Sequence, residues 1–551
     1  MGAAMASGQQ DAETTIESEV VVVGSGAAAL TAALTAAVAG RRVTIVEKSE
    51  RIGGTSAMSG GMSWVPANHH MAAAGLEDSP EEALTYMRAV APPGWRETED
   101  ELWSAQAAQS GPMLRFVEAH TPLRFEIAAV PDPMSDQPGA KPLGRLLSPR
   151  ALSRRILGPY AGKIRRSTMP HALTYNEMVA ADLYRHPIRG SLRYARTILG
   201  RWATRSAGKG NALITGLLKG CLDHGCRIET GARAVELVSE GPGGRIVGVV
   251  VAQHGRRRTF RASAGVVLGT GGFEWNAELL KKHFPGPVDY LSSPSTNEGD
   301  GLAMALAAGA ATAHMDQANI MAQPPIPYEG RINGLPIRFH AEPDAIIVDR
   351  NGRRFFSEYA FHAGEALNER DPETGALRHL PAWVITQWAM VKRTPIVRWY
   401  RRYDRRWLTT ASTIEDLAAK TGLPPQALAE TVARFNGFAR SGRDEDFQRG
   451  SAPYEQRLAK SVGLMAPIEK PPFVAIRCNP SLMGTKGGVR TNARGQALRP
   501  DGSVIAGLYC AGNVAASPVG GRSPSAVGTT IGPYMTWGHI CALDILKGNR
   551  A

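Results

Sequence analysis

Two apolar runs near the N-terminus are separated by a short glycine-rich stretch. Residues 20–23 are four consecutive valines, the pattern of a strand that is buried on both faces of a parallel sheet. Residues 30–39 are rich in Ala and Leu and favour a helix, which Gly40 ends. Residues 43–46 are apolar again and predict a second strand, closed by Glu47. The pattern therefore predicts a strand–turn–helix–strand unit.

The region 20–40 carries no charge, and its 21 residues are enough to span a bilayer. A membrane span is nevertheless not the interpretation we favour. Gly24 and Gly26 interrupt the run directly after the Val-rich strand. Glu17 and Glu19 precede it, where a signal peptide has basic residues.

The glycine-rich stretch has the spacing of a dinucleotide-binding fingerprint. It is Gly24-Ser25-Gly26-Ala27-Ala28-Ala29, a GxGxxG motif with Ala at the third glycine position. Gly24 permits a tight turn, Gly26 lets the backbone approach a pyrophosphate, and the N-terminus of the following helix attracts that anion. Glu47, 21 residues after Gly26, can accept hydrogen bonds from both hydroxyls of an adenosine ribose. An acid here, rather than an Arg, argues against a 2′-phosphate.

A second glycine-rich loop favours FAD over NAD. Small residues and hydroxyls in this loop suit close approach of the backbone to an extended flavin cofactor, which Rossmann-type NAD enzymes do not need to hold. Later segments fit the same cofactor, because Pro533 helps to start a final helix whose N-terminus would face the flavin pyrimidine ring. The loop and these segments supply Gly53, Gly54, Thr55, Ser56, Gly60 and Gly61, then Ala234 and Val235 beside the adenine, Thr270, Gly271 and Gly272, and Gly512 and Asn513.

Length and composition are those of a globular protein with two or more structural units. Of the 551 residues, 43% are hydrophobic and 21% are charged. The five cysteines are scattered and include no CxxC pair, so we predict neither a disulfide framework nor a zinc site. This cysteine usage favours a reducing, cytoplasmic location, and no cluster of metal ligands is evident.

The positive charge is concentrated in residues 141–210. This segment contains 15 Lys or Arg residues against two acidic residues, which accounts for the whole formal charge of +13. Arg189, Arg193 and Arg196 recur at roughly helical spacing, with Leu199 and Trp202 close by. Two interpretations stay open, a solvated helix face and a peripheral contact with an anionic membrane. Nucleic-acid binding is not predicted, because no nucleic-acid motif accompanies the charge.

Seven segments together resemble the fumarate reductase / 3-ketosteroid dehydrogenase superfamily of flavoproteins. They are GSGAAAL, EKSERIGGTSAMSGG, VLGTGGFEWN, NEGDG, TKGGVRTN, GLYCAGNV and GTTIGPYMTWG, from about residue 20 to the C-terminus. The last is closer to the ketosteroid dehydrogenase branch. The resemblance implies an α/β fold with a Rossmann-like FAD-binding domain, built from residues 17–278 and 461–551. It implies an α+β substrate and catalytic domain, 279–460, inserted between them, and residues 1–16 are expected to be a disordered leader.

The same resemblance extends the predicted site for non-covalently bound FAD. Besides the residues already named, its motifs contribute Lys48, Ser59, Asp300, Thr529, Thr530 and Ile531. Apolar runs at 319–330 and 333–340 suit an apolar substrate at the junction of the two domains.

The activity implied is the oxidation of a cyclic ketone, steroid-like or smaller. A base removes the α-proton, the flavin takes the β-hydride, and the ketone oxygen needs hydrogen-bond donors. Electrons then pass to an external acceptor, a quinone or oxygen. His362 stands where ketosteroid dehydrogenases carry a catalytic Tyr and fumarate reductases an Arg, so it is our candidate acid/base, with Tyr359 one turn away. The open alternative for His362 is a loop histidine bonded to backbone.

Two Tyr-bearing segments of the ketosteroid branch differ here, since "VPDPMSDQPGA" has no Tyr and Ser523-Pro524 precede the last glycine motif. The backbone N–H of Gly528 is retained as a donor to a substrate carbonyl. Arg522 falls near the position of a substrate-binding Arg in fumarate reductases. Two other functions stay open: an ene-reductase acting on an activated alkene or unsaturated acid, with Arg522 as the anchor, and a flavin-binding protein without turnover.

Overall fold

The structure, a computed structural model, describes residues 14–183, 185–361, 363–519 and 530–548. Its strands are β1 (Thr14–Val23), β2 (Val43–Glu47), β3 (Ser63–Trp64), β4 (Phe125–Ile127), β5 (Leu146–Pro149), β6 (Leu152–Ser153), β7 (Ser206–Ala207), β8 (Arg227–Thr230), β9 (Arg233–Ser239), β10 (Ile246–Gln253), β11 (Arg256–Leu268), β12 (Thr312–Ala313), β13 (Ala318–Met321), β14 (Pro325–Tyr328), β15 (Arg331–Gly334), β16 (Ile346–Val348), β17 (Trp383–Gln387), β18 (Leu408–Ala411), β19 (Phe473–Arg477), β20 (Ser481–Thr485), β21 (Gly488–Val489), β22 (Gln496–Leu498) and β23 (Val504–Cys510).

Helices connect and cover these strands. They are α1 (Ala27–Val38), α2 (Gly54–Met58), α3 (His69–Ala73), α4 (Pro80–Ala89), α5 (Arg96–His120), α6 (Tyr175–Ala180), α7 (Pro187–Arg193), α8 (Ala195–Ala203), α9 (Lys209–Asp223), α10 (Ala277–His283), α11 (Asp300–Ala307), α12 (Ala363–Leu367), α13 (Trp388–Arg393), α14 (Pro395–Tyr400), α15 (Ile414–Thr421), α16 (Pro425–Ser441), α17 (Pro453–Val462) and α18 (Ile531–Gly548), with 3₁₀ helices at Arg154–Gly162 and Gly512–Val514. In the described part of the chain, every helix is too short or too polar to cross a membrane.

The four consecutive valines form the centre of the main sheet. The sheet runs β22-β23-β11-β1-β2-β8, and β1 pairs in parallel with both β11 and β2. Val20 lies opposite Val43 on one side and Gly265 on the other. Because helices cover both faces of such a strand, an uninterrupted apolar run is the pattern it requires. The hairpin of β9 and β10 extends from β11 in antiparallel pairing.

Helix α1 is composed of small residues because it is enclosed on all sides. Every residue from Ala27 to Ala37 is buried, between the sheet, α9 and the C-terminal helix α18. The two helices α1 and α18 approach at backbone distance, since a Cβ at Gly538 would overlap the carbonyl oxygen of Ala28. This close crossing carries the N-terminus of α18 to the same edge of the sheet as that of α1.

A second sheet has four antiparallel strands in the order β16-β17-β19-β18. Helices α15 and α16 pack against one of its faces and share an apolar core with it. The mixed α/β class with a parallel central sheet is confirmed. The domain boundaries stay a prediction. Strand β19 follows residue 461, where the predicted FAD-binding domain resumes, but it pairs with β17 and β18 of the predicted inserted domain.

Buried ion pairs hold the segment that follows β16. Arg354 donates two hydrogen bonds to Glu358, at 2.9 and 2.8 Å, and two to Asp444, at 3.1 and 2.8 Å. Arg449 adds a contact of 3.3 Å to Glu358. All four side chains are almost inaccessible to water. Their charges are tolerable in this environment only because they are paired.

Replacing Arg354 with Met should lower the free energy of unfolding by about 3–5 kcal/mol, because two buried carboxylates would lose the cation they share. Urea titration followed by circular dichroism measures the change. The neighbouring Arg353→Met is the matched control, since Arg353 is half exposed and pairs with the exposed Glu430. It should leave the unfolding midpoint unchanged. Equal losses in the two variants would contradict a structural role for the buried cluster.

Candidate active site

A cavity of about 420 Å³ opens at the carboxyl ends of β1, β2 and β11. Ligands of parallel α/β sheets bind at this edge, where helix N-termini and loops converge. One part of the cavity wall consists of backbone and small polar residues, and the other part is apolar.

The fingerprint loop forms the polar end of the cavity. Gly24 has a φ of +104°, and a Cβ on it would overlap the carbonyl oxygen of Gly269, so only glycine fits. Gly26 is the N-cap of α1, makes no side-chain cap, and is followed by no acidic residue in the first turn. The partial positive charge of this helix end is therefore available to an anion such as a pyrophosphate.

Glu47 is held in place beside the fingerprint loop. The Ser25 hydroxyl donates to one carboxylate oxygen at 2.6 Å, and the backbone N–H of Ser49 donates to the other at 2.9 Å. Burial raises the pKa of the Glu47 carboxyl, and these two hydrogen bonds act in the opposite direction. Each oxygen keeps a lone pair, so the group can still accept hydrogen bonds from ribose hydroxyls.

Lys48 and Asp300 belong to a four-residue ion cluster at the rim. The Lys48 ammonium lies 2.9 Å from Asp300 and 3.0 Å from Glu298. Arg233 contacts the same two acids, at 2.7 and 3.2 Å. The cluster ties α11 to the start of β9 and to the end of β2, next to Ala234 in the cavity wall.

Three residues that line the cavity carry buried polar atoms without partners. Thr270 Oγ1, Asn319 Oδ1 and Asn513 Oδ1 are inaccessible to water and have no hydrogen-bond partner among the described residues. Unsatisfied groups of this kind are costly and rare in folded proteins. They fit a site built for a polar ligand, and together with the open helix end and the placed carboxylate they fit FAD.

Glu274 and Asn297 were not predicted and organise the same wall. The Asn297 amide donates to Glu274 at 2.7 Å and to the hydroxyl of Thr55 at 3.0 Å. Glu274 is fully buried, and burial raises the pKa of its carboxyl. Both lie inside motifs of the family resemblance, VLGTGGFEWN and NEGDG, which could have indicated that they are near the site. Their pairing with each other could not be predicted from these motifs.

The other part of the wall is apolar and rich in methionine. Flexible thioether side chains fill irregular spaces and adapt to apolar ligands. Of the two apolar runs expected to meet a substrate, Asn319, Met321 and Pro336 do line the cavity. The remaining members come from distant segments: Met62, Met169, Tyr175, Met178, Phe361, Met483 and Tyr534.

Lys209 contributes a cation to this wall that was not predicted. Its side chain is almost fully buried, and its Nζ donates to the carbonyl oxygen of Pro170 at 3.2 Å. It makes no ion pair with a carboxylate of the described residues. Burial lowers the pKa of the Lys209 ammonium to about 8, so the group still carries a proton over much of the physiological range.

The cavity brings together most of the residues predicted to hold FAD. They are Gly24, Ser25, Gly26, Ala28, Glu47, Lys48, Gly54, Thr55, Ser56, Ser59, Gly60, Gly61, Ala234, Thr270, Gly271, Asp300, Gly512, Asn513, Thr530 and Ile531. Gly53, Ala29 and Gly272 lie just behind the wall: Gly53 donates its N–H to the Ser25 hydroxyl at 2.9 Å. Val235 has a partly exposed side chain outside the cavity, unlike the neighbouring Ala234.

Of the four predicted catalytic residues, only Tyr359 is among the described residues. Tyr359 does not line the cavity: its hydroxyl donates to the carbonyl oxygen of Gly463 at 2.6 Å, and its ring lies 3.9 Å from the Arg449 guanidinium. Burial raises the pKa of this phenol. Phe361, two residues on, lines the cavity, and a catalytic role for Tyr359 stays a prediction. His362, Arg522, Gly528 and Thr529 lie outside the described residues.

The sequence model of the family described as "FAD binding domain" matches residues 19–529. The chain belongs to this family of flavoproteins, and its cofactor is FAD. It is an FAD-dependent oxidoreductase that acts on CH–CH groups.

Within the family, the chain belongs to the ketosteroid dehydrogenase branch of the fumarate reductase / 3-ketosteroid dehydrogenase superfamily. It is 35% identical over 567 residues to a 3-oxosteroid 1-dehydrogenase of Mycolicibacterium smegmatis, covering 96% of this chain and 97% of the relative. It is 35% identical over 546 residues to a 4-oxocyclohexanecarboxylate 2-dehydrogenase of Sinomonas cyclohexanicum, covering 96% and 92%. A 3-ketosteroid delta1-dehydrogenase from Sterolibacterium denitrificans, solved with 1,4-androstadiene-3,17-dione, superposes with a TM-score of 0.85 at 30% identity, covering 97% and 100%.

Replacing Thr270 with the isosteric Val should weaken FAD binding while leaving the apoprotein as stable as before. The Thr270 hydroxyl has no partner among the described residues, so we expect its loss to leave the apoprotein's stability unchanged, whereas a hydrogen bond to FAD would be lost. A typical bond of this kind contributes about 1 kcal/mol, or roughly a fivefold change in Kd. Flavin fluorescence during titration of apoprotein measures the affinity.

Thr215→Val is the control, because the Thr215 hydroxyl in α9 is also buried without a partner but does not line the cavity. Its FAD affinity should match that of the unmodified protein. Equal affinities in all three proteins would show that the Thr270 hydroxyl does not contact FAD.

Proposed function

We propose that this protein is an FAD-dependent dehydrogenase that introduces a C=C bond α,β to the ketone of a cyclic substrate. The observation that carries the proposal is the apolar, methionine-rich wall that continues directly from the FAD cradle in one cavity. The three similar enzymes named above act, by their names, on cyclic oxo compounds. An apolar ring can lie against this wall with its reacting carbons near the cofactor.

The chemistry requires a base for the α-proton, an acceptor for the β-hydride and donors for the ketone oxygen. Bound flavin supplies the hydride acceptor. We assign the base to His362, whose neutral imidazole would take the α-proton as the C=C bond forms. Phe361 supports this assignment, since it lines the cavity directly before His362. The backbone N–H of Gly528 is the proposed donor to the ketone oxygen, and Thr530, two residues later, lines the cavity.

Two substrate classes fit the apolar wall, a 3-oxosteroid-like ketone and a smaller cyclic ketone. Lys209 favours a substrate that also carries a carboxylate, because in the described part of the chain its buried ammonium has only the Pro170 carbonyl oxygen and the Met178 sulfur within hydrogen-bond distance. An unpaired buried cation is costly, and an anionic substrate would pair with it. An oxocyclohexanecarboxylate has the ketone and the anion in one ring.

After turnover the electrons leave to an external acceptor, for which a quinone or oxygen is proposed. A quinone is dissolved in the membrane, and the basic segment 141–210 would bring the enzyme to that surface. Peripheral membrane association is therefore part of the proposal. Arg522 stays the proposed anchor of the alternative ene-reductase activity. No contact among the described residues supports that alternative.

Anaerobic mixing of the holoenzyme with saturated 3-oxosteroids, oxocyclohexanecarboxylate and simple cyclohexanones should bleach the visible band of oxidised flavin with at least one ketone. His362→Ala should slow the bleaching by roughly 10²–10⁴-fold, the usual contribution of a general base, without loss of bound FAD. His224→Ala is the control, since His224 is exposed at the end of α9.

Bleaching by no ketone would contradict the proposed dehydrogenase. Reoxidation of the dithionite-reduced protein by enones or unsaturated acids would then support the ene-reductase. A flavin that responds to neither class of compound would indicate a binding protein without turnover.

Lys209→Met should raise the KM for oxocyclohexanecarboxylate roughly tenfold or more, because a charge-assisted hydrogen bond would be lost. The KM for an uncharged cyclohexanone should stay within about twofold, since Met preserves the volume of the side chain. Steady-state assays with an artificial acceptor measure both. An equal rise for charged and uncharged ketones would show that Lys209 shapes the cavity without recognising an anion.

A further inference from the structure

The four most exposed large apolar side chains of the described residues lie on two adjacent helices. Ile188 and Leu192 of α7 are 69% and 72% exposed, and Leu199 and Trp202 of α8 are 63% and 81% exposed. Helix α8 has no buried residue at all. Single exposed apolar residues are ordinary, but a concentration like this one indicates a surface that is covered by something else.

Cations surround these apolar side chains. Arg189 and Arg196 lie on the same two helices and make no ion pair with the described residues. Among the described residues, Arg193 of α7 donates only to the backbone oxygen of Ala180. Helices that combine exposed Leu and Trp with unpaired Arg bind in the interface of anionic bilayers, with the apolar groups below the level of the phosphates.

A cavity of about 830 Å³ adjoins α8 and is lined by arginines. Arg201 is neutralised there by Glu177, at 2.8 Å. Arg154, Arg166 and Arg205 make no ion pair with any described residue. The Arg154 Nε is buried without a hydrogen-bond partner. Burial lowers the pKa of Arg154, and the charges of Arg166 and Arg205 lower it further. Three guanidinium groups that repel one another in one cavity are suited to bind a phosphate.

The arginine-lined cavity and the candidate active site share a wall. Met169 lines both cavities, and residues 167–171 run between them. The arginine-lined cavity, which adjoins α8, is thus a direct neighbour of the methionine-rich wall. An apolar molecule leaving a bilayer at this surface would have a short route to that wall.

We propose that this surface docks on an anionic phospholipid bilayer. The apolar side chains of α7 and α8 enter the boundary between headgroups and acyl chains, and a lipid phosphate occupies the cavity of Arg154, Arg166 and Arg205. The inference deepens the peripheral contact proposed above, and its use for substrate supply rests on the proposed function. The docking itself does not depend on turnover.

Sedimentation of the holoenzyme with vesicles of phosphatidylglycerol and phosphatidylcholine, against vesicles of phosphatidylcholine alone, tests the proposal. Binding should require phosphatidylglycerol and weaken as salt rises. The double variant Arg154→Gln/Arg166→Gln should bind roughly 30-fold more weakly, about fivefold for each charge. Leu199→Ser/Trp202→Ser should lose binding at least as strongly, because two buried apolar anchors are removed.

Two matched controls belong to the same experiment. Trp399→Ser removes a partly exposed Trp elsewhere, and Arg257→Gln removes an exposed cation that pairs with Glu236. Both should bind vesicles as the unmodified protein does. All variants should keep their FAD content, which shows that they are folded.

Equal binding to both vesicle types, or to neither, would overturn the proposal. Full vesicle binding by the double arginine variant would also overturn it. The same holds if the arginine-lined cavity binds inorganic phosphate but the protein does not bind vesicles. Vesicle binding without any bleaching by ketones would leave docking established and refute the proposed dehydrogenase, so the two proposals fail separately.

Discussion

The FAD site depends on a direct backbone contact between the loop after β1 and the loop after β11, with no side chain between them. Gly24, after β1, turns with a φ that only glycine adopts readily, and it contacts the carbonyl oxygen of Gly269 after β11. Gly269 in turn lies against Ala29, the Ala at the third glycine position of the fingerprint. Because these segments meet so closely, the N-terminus of α1 stays open to the cavity and can face an anion.

The two parts of the cavity wall have opposite chemistry, and the fold brings them together from distant parts of the chain. The crossing of α18 over α1 at Gly538 places Thr530, Ile531 and Tyr534 beside the fingerprint loop. The polar wall suits a charged cofactor, while the methionine-rich wall is apolar at the place where a proton and a hydride would leave the substrate. Electrostatic interactions are stronger in apolar surroundings than in water.

Charged side chains occur in two contrasting arrangements, unpaired arginines at the surface and paired ions in the interior. The excess of positive charge in residues 141–210 reappears as unpaired arginines around α8 and in the adjoining cavity, and the wall at 167–171 separates that cavity from the active site. A buried ion cluster of Arg354, Arg449, Glu358 and Asp444 contrasts with these arginines, because its two positive and two negative charges cancel and hold the segment before His362. Unpaired surface cations can bind an anionic partner, whereas paired buried ions are already neutralised.

The sequence by itself determined the α/β class, the fingerprint and the choice of FAD, because each depends on residue spacing within a short segment. Gly24, Gly26 and Glu47 are such a case. Only the tertiary structure decided which distant side chains meet: Asn297 on Glu274, Lys209 in an apolar wall, and methionines from widely separated segments. It also placed the Tyr359 hydroxyl on the carbonyl oxygen of Gly463. Local spacing cannot encode these outcomes, because long-range packing determines which face of a segment is buried and against what.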